Sequence, residues 1–302
     1  MSARAAAKTA KILARIARDS AMQRLENPVF LISAGQTGTT WLERYLHQHR
    51  DLAVYVSEAN ELWHPNHYPA AKKPGLVGEG ADPQTFSRQS YELRPDKSFE
   101  NVRSVFGAFQ ALLDKPAFVN KATLICFSLP EIFRAIPTAR FVHLVRDGRA
   151  VALSKAKKHV AKRREQQNWI GADWLRFARP RVTSADFDPA LDATSLGLEL
   201  DKTSSYWAAA VREVRARSRN LGLADRGAYL ELRYEDMCAA PDETLTRLFR
   251  FIGVEPGRVV EDPSVERPMS RNAKVLEELD GAQYERLTDR IRSSLEMFGY
   301  LP

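Results

Sequence analysis

Five short apolar runs punctuate the chain, and longer amphipathic stretches lie between them. The runs are Val29–Ser33, Leu52–Val56, Ala117–Asn120, Arg140–Val145 and Ala228–Arg233. They read as short buried β-strands. Between them the period changes to that of a helix. Thr39–His49 places Trp41, Leu42, Tyr45 and Leu46 on one side, and Pro241–Gly253 does the same with Leu245, Leu248, Phe249 and Ile252. Tyr206–Leu221 reads as a basic helix. Alternation of this kind predicts an α/β fold, a three-layer sandwich with a mostly parallel central sheet covered on both faces. Residues 65–101 are rich in Pro, Gly, Ser and His and read as a long loop or lid. Residues 160–200, with Trp169, Trp174, Pro180, Pro189 and Gly197, read as an insertion that forms an acceptor-binding flap. Residues 1–26 read as a basic N-terminal helix, and 27–302 as a single domain.

The first strand runs into Ala34-Gly35-Gln36-Thr37-Gly38-Thr39-Thr40-Trp41. Strand, small-residue loop and helix N-terminus together make an anion cradle, since backbone N–H groups converge there and the helix dipole favours negative charge. The loop is P-loop-like but is not a Walker A motif: Ser33 stands at the first glycine position, and Thr39 at the lysine position after Gly38. A nucleoside triphosphate would lack the expected cation at its β/γ-phosphates. Read alone, the loop is equally an ordinary strand-to-helix turn.

A second strand ends in Val145-Arg146-Asp147-Gly148-Arg149, and a helix follows through Ser154. Arg146 then sits at a strand's C-terminal end, where ligands of open α/β sheets gather. A guanidinium and a hydroxyl eight residues apart across such a turn can meet on one phosphate. A third strand ends in Tyr234-Glu235-Asp236.

Loop, Arg…Ser pair and Tyr-Glu-Asp, in this order, resemble the sulfotransferase family that uses 3′-phosphoadenosine 5′-phosphosulfate. The bacterial and tyrosylprotein-like branch is nearer than the small-phenol branch. The resemblance spans about residues 28–300. It implies that Gly35, Gln36, Thr37, Gly38, Thr39 and Thr40 cradle the 5′-phosphosulfate, and that Arg146 and Ser154 hold the 3′-phosphate. It further implies that Tyr234 lies near the adenine, that Trp41 stacks on it, and that Arg271 and Lys274 of a basic C-terminal segment fold back onto the nucleotide. A core role for Trp41 and a solvated turn for the basic segment are the competing readings. The family loop reads roughly [KR]-[ST]-G-T-T-W. Gln36 stands where it has lysine or arginine, so the loop lacks a formal charge. Lys121, after the third strand, is by resemblance the cation that points at the transferring group.

Sulfuryl transfer also needs a base for the acceptor's proton. Glu58, after the second strand, is the candidate, with Glu61 and His64 as runners-up. A capping carboxylate is the competing reading of Glu58. His64, His67 and Glu61 match no metal signature, and no metal is expected. His143 lies mid-strand and reads as a core histidine.

The chain has 302 residues, 44% hydrophobic and 27% charged, with a net charge of +7. The charge is concentrated: twelve Lys/Arg against three acidic residues lie between Arg140 and Arg181. A polyanionic cofactor accounts for that excess, and no nucleic-acid module is present. Two cysteines, Cys126 and Cys238, make neither a disulfide framework nor a zinc site. Apolar runs are too short for a transmembrane span, and the N-terminus lacks a signal-peptide core. A cytoplasmic protein is expected, with residues 2–26 as a solvated helix; weak membrane-surface contact is the minority reading. The expected function is transfer of a sulfuryl group from 3′-phosphoadenosine 5′-phosphosulfate to a hydroxyl or amine on a small molecule, glycan, lipid or peptide. The alternatives are a nucleotide-binding relative with little turnover, motivated by Gln36, and a P-loop kinase.

Overall fold

A computed structural model describes residues 25–56, 58–63, 95–164 and 196–302. Its centre is a five-stranded sheet: β1 (Pro28–Ile32), β2 (Leu52–Val54), β3 (Ala117–Lys121), β4 (Arg140–Val145) and β5 (Tyr229–Arg233). The spatial order is β2-β3-β1-β4-β5, and every pairing is parallel. All five predicted strands are present, within a few residues of their expected ends.

The sheet is parallel because both its faces are covered, and β1 shows how. All five of its residues are buried. Phe30 and Ile32 enter one core with Phe106, Phe118, Phe141 and Trp207. Val29 and Leu31 point the other way, into a core with Leu42, Leu46, Leu248 and Phe249. Alternating side chains on a strand face opposite sides, so a continuous apolar run feeds two cores at once.

The first core is closed by α3 (Pro95–Leu113), α4 (Leu129–Ala135), α6 (Leu196–Asn220) and α10 (Gly281–Met297). The second is closed by α1 (Thr39–Leu46), α7 (Tyr234–Ala239) and α8 (Pro241–Ile252). Helix α5 (Gly148–Arg164) runs from β4 and packs on α6, while α2 (Asn60–Trp63) and α9 (Lys274–Glu278) are short. α8 opens on Pro241 and stops at Gly253, whose φ of 84° ends the helix in the left-handed conformation.

Two expectations need correction. Helix α3 begins at Pro95, inside the stretch read as loop to residue 101. Helix α6 begins at Leu196, ten residues before the expected start, because Leu200 packs with Leu153 and Leu287 in a third apolar cluster. Residues 1–24, the rest of the 65–101 stretch, His64, His67, Trp169 and Trp174 lie outside the described residues. Among the described residues no helix is long and apolar enough to cross a membrane.

Strand β1 is central, with β3 on one side and β4 on the other. Successive crossovers therefore leave in opposite directions at the C-terminal end of β1, the switch point where such sheets bind ligands.

Candidate active site

The loop after β1 is built as an open cradle. Ser33 is buried, and its Oγ accepts from Gly35 N–H at 3.0 Å. Gly35 and Gln36 both take left-handed backbones, φ 78° and 55°. For a glutamine this costs about 1–2 kcal/mol. Two contacts offset it: Arg146 Nη1 donates to the Gln36 carbonyl at 2.9 Å, and Ser154 Oγ lies 3.4 Å from Gln36 Oε1. Gly38 caps α1 with φ 87°. Among the described residues no side chain caps the helix, and no acidic residue stands in its first turn. Helices commonly satisfy their first N–H groups with a side-chain oxygen. Here they are left for another acceptor, and an anion suits them. Thr37 is fully buried, and its Oγ1 is an orphan among the described residues.

Position 38 must be glycine for a second reason. A Cβ there would lie 2.7 Å from the ring of Tyr234. That ring carries Arg146, whose guanidinium carbon lies 4.6 Å from its centre. Arg146 Nε donates to Asn272 Oδ1 at 2.8 Å, and its carbonyl accepts from buried Trp207 Nε1 at 3.1 Å. Trp207 is why residue 148 is glycine, since a Cβ would lie 2.4 Å from the indole. Arg146 is thus fixed by neutral partners on several sides.

Glu235 ties these parts together. Its Oε1 accepts from Asn272 Nδ2 at 2.6 Å and Asp147 N–H at 3.1 Å, and its Oε2 accepts from Tyr300 OH at 2.9 Å. The β4 turn, the basic C-terminal segment and the chain end meet on one carboxylate. Burial, then the Cys238 thiol beside it, pushes the Tyr234 hydroxyl up to about 12. It stays protonated and donates to the Met269 carbonyl at 2.7 Å.

These residues surround a cleft of about 710 Å³. Of the residues expected in the site, Gln36, Gly38, Thr39, Thr40, Trp41, Arg146, Ser154, Tyr234, Arg271 and Lys274 all line it. Gly35 and Thr37 belong to the loop without facing the cleft. Trp41 is half-buried: its ring stacks on Tyr45 at 5.3 Å, and the residue also lines the cleft. Its Nε1 donates to the Glu266 carbonyl at 2.6 Å.

Glu58 and Lys121 are not in that cleft. They form a neighbouring cluster with Glu43 of α1. Lys121 Nζ lies 2.7 Å from Glu43 Oε2 and 3.7 Å from Glu58 Oε1. Glu58 Oε2 accepts from Thr123 Oγ1 at 3.0 Å. The lysine expected as a cation for the transferring group is ion-paired. His64 lies outside the described residues, as does the side chain of Glu61. His143 is buried, with Nδ1 2.8 Å from Tyr229 OH.

Reading the sequence missed Glu43, Glu235, Asn272, Tyr300 and the Ser264–Met269 wall of the cleft. Glu235 stood inside the Tyr-Glu-Asp motif and Asn272 between Arg271 and Lys274, but nothing in their spacing marked them as a pair.

The profile of the sulfotransferase family matches residues 28–257. The chain belongs to the sulfotransferase family. No curated protein matches it. Among solved structures, the sulfotransferase domain from the curacin biosynthetic pathway is similar with a TM-score of 0.50 and 14% identity, over 92% of this chain and 100% of that one. Sulfotransferase STF9 from Mycobacterium avium is similar with a TM-score of 0.50 and 14% identity, over 93% of this chain and 78% of that one. A sulfotransferase from Alicyclobacillus acidocaldarius is 18% identical over 89% of this chain and 95% of its own, with a TM-score of 0.47. At such identities the likeness concerns the fold. Membership in the family leaves the kinase alternative without support.

Proposed function

We propose that this sulfotransferase uses 3′-phosphoadenosine 5′-phosphosulfate as donor and a hydroxyl or amine as acceptor. One observation carries the reading: the uncapped α1 loop, Arg146, Ser154 and Tyr234 converge on a single cleft whose wall also includes Arg271 and Lys274. The cleft fits a nucleotide with phosphates at two places, because its anion-binding groups form two sets.

The first set is the loop, whose N–H groups and dipole would hold the 5′ end. The second is Arg146 with Ser154, which would hold the 3′-phosphate. Arg146 uses Nε and Nη1 on Asn272 and Gln36. Trp41 and Tyr234 offer ring faces to the base. When bound, the donor supplies an activated sulfuryl group on a phosphate leaving group. Glu58 takes the acceptor's proton on a carboxylate oxygen, with Thr123 Oγ1 and Lys121 orienting that carboxylate. Residues 27–302 act as one domain.

Titration calorimetry with 3′-phosphoadenosine 5′-phosphate tests the donor. It should bind at least about tenfold more tightly than adenosine 5′-phosphate, the minimum for one extra charge-assisted phosphate contact. Chelation of divalent metals should leave that preference unchanged. Equal affinity for the two nucleotides would overturn the donor assignment. Transfer of labelled sulfuryl from the donor to a panel of alcohols, amines, glycans and tyrosyl peptides then identifies the acceptor class.

A further inference from the structure

The Arg146 guanidinium carries only donors, and its neighbour Asn272 has both an oxygen and an NH2 group to offer it. The oxygen stands there: Arg146 Nε donates to Asn272 Oδ1 at 2.8 Å. Glu235 selects that arrangement. A carboxylate only accepts, so the amide turns its Nδ2 toward Glu235 Oε1, 2.6 Å away, and its oxygen toward the arginine. The other oxygen of Glu235 accepts from Tyr300 OH at 2.9 Å. Arg146 Nη1 is bound separately, to the Gln36 carbonyl at 2.9 Å. A guanidinium is planar, so bonds at Nε and Nη1 fix its plane and the direction of Nη2. Resting on the donor reading above, we propose that Glu235 and Tyr300 are positioning residues for Arg146, acting through the Asn272 amide to aim the guanidinium at a 3′-phosphate.

Each link is set by the fold. Glu235 follows β5 in the first turn of α7. Its Oε1 also accepts from Asp147 N–H at 3.1 Å, which ties it to the residue after Arg146. Tyr300 is placed by the way α10 ends. Tyr300 N–H donates to the Leu295 carbonyl at 2.8 Å, and Gly299 N–H to the Glu296 carbonyl at 3.0 Å. Gly299 has a φ of 69°, and this left-handed stop folds the chain back over the last helical turn. The Arg233 guanidinium lies 4.5 Å from the centre of the Tyr300 ring. Burial, then the Glu235 carboxylate, raises the Tyr300 hydroxyl far above its ordinary value, so it remains a donor. The amide between Glu235 and Arg146 has a chemical purpose. A carboxylate set directly on the guanidinium would take donors that a phosphate needs. An acidic residue in a first helical turn also suits the helix dipole. Asp236 stands in that same turn and is exposed, so it separates the two roles.

The quantity to measure is the ratio of dissociation constants for adenosine 5′-phosphate and 3′-phosphoadenosine 5′-phosphate, by titration calorimetry. It isolates the 3′-phosphate contact. Glu235→Ala should lower the ratio about fivefold or more, and Tyr300→Phe about 2- to 5-fold, as for a lost hydrogen bond in a chain that ends on a charged group. Adenosine 5′-phosphate itself should bind both variants within about twofold of the wild type. Glu235→Gln should keep the ratio within about twofold, because its oxygen still accepts from Asn272 and its NH2 can donate to the Tyr300 oxygen. Asp236→Asn should leave the ratio unchanged. In an Arg146→Ala protein, adding Glu235→Ala should change bisphosphate affinity by no more than about twofold, since the residue it positions is gone.

An unchanged ratio in either Glu235→Ala or Tyr300→Phe would overturn the assignment. So would equal weakening of both nucleotides, which is the mark of a structural role alone. A Glu235→Gln ratio as low as that of Glu235→Ala, a matching loss in Asp236→Asn, or a further large loss in the Arg146→Ala protein would each overturn it too. In those cases the wild type still prefers the bisphosphate and the donor reading stands. A wild type without that preference would remove the donor reading and this assignment together.

Discussion

Arg146 and Lys121 both stand at the C-terminal edge of the sheet, and the protein treats their charges in opposite ways. Arg146 is held by the Gln36 carbonyl, the Asn272 side-chain oxygen and the face of Tyr234. All three are neutral. Lys121 is held by the carboxylates of Glu43 and Glu58. That ammonium is set between two carboxylates. A cation meant for an anionic ligand is best fixed by dipoles and rings, which position it without cancelling it. A lysine between carboxylates orients them instead. On the proposed reading the two regions divide the reaction, with the nucleotide on one side and proton removal on the other.

The largest effect should come from the carboxylate side. Glu58→Gln preserves size and hydrogen-bonding capacity but cannot take a proton. Transfer should fall about 10²–10⁴-fold, the usual span for a lost general base. Affinity for 3′-phosphoadenosine 5′-phosphate should stay within a few-fold, because Glu58 is not in the cleft. Single-turnover rates beside calorimetry read both quantities. A loss confined to nucleotide affinity would merge the two regions into one.

Arg146→Ala should act on the other side. On the proposed reading it removes a charged phosphate contact and frees Asn272, at a cost of about 2–4 kcal/mol in bisphosphate binding. Discrimination between nucleotides with and without a 3′-phosphate should vanish. Calorimetry with both forms measures this, and intact discrimination would move the 3′-phosphate elsewhere.

Gly38→Ala asks how rigid the cleft side is. The new methyl would sit 2.7 Å from the Tyr234 ring, at a backbone φ of 87°. Overpacking and left-handed strain together should cost about 1–3 kcal/mol of stability. Urea unfolding gives that number. Because Tyr234 carries Arg146, bisphosphate affinity should drop as well. A destabilised protein with unaltered affinity would show that the ring does not position the arginine.

Much of this was legible in the residues, and the parts that were not share one cause. The strands could be read because they are buried on both faces and therefore apolar at every position, as Pro28–Ile32 is. The loop could be read because a left-handed cap and a ring packed on residue 38 both demand glycine. Arg146 could be read because it ends a strand. Glu43 could not be paired with Lys121, nor Glu235 with Asn272 and Tyr300, because those contacts join distant parts of the chain. A motif records which residue types a site needs. It does not record which neighbour will pair with a charge, and so nothing in the sequence set Glu43 against Lys121.

The smallest effect on the reaction should come from a third charged group, which serves as a control for the other two. Arg215 pairs with Glu231 on β5, and Tyr229 OH donates to Glu231 Oε2 at 3.0 Å. The Tyr229 oxygen is then left to accept from His143 Nδ1, 2.8 Å away. Burial holds the His143 imidazole below its ordinary value of 6.5, despite the Glu231 carboxylate nearby. The folded protein therefore declines a proton that the unfolded chain accepts as pH drops through 6.5. Stability from this group is full above that pH and is lost below it. Burial alone would raise Glu231, but the neighbouring His143 ring and the Arg215 guanidinium outweigh it and bring the carboxyl to about 2. Its contribution is full above 4.5, its ordinary value, and is lost as pH falls toward about 2. Urea midpoints should thus decline in two stages on acidification. His143→Gln should make the first stage shallower; part of it remains because burial also lowers His47. The same variant should bind 3′-phosphoadenosine 5′-phosphate as the wild type does, since none of these residues lines the cleft. An altered nucleotide affinity would show that the charge networks of this sheet are coupled, and that the division between cleft and carboxylate cluster is not clean.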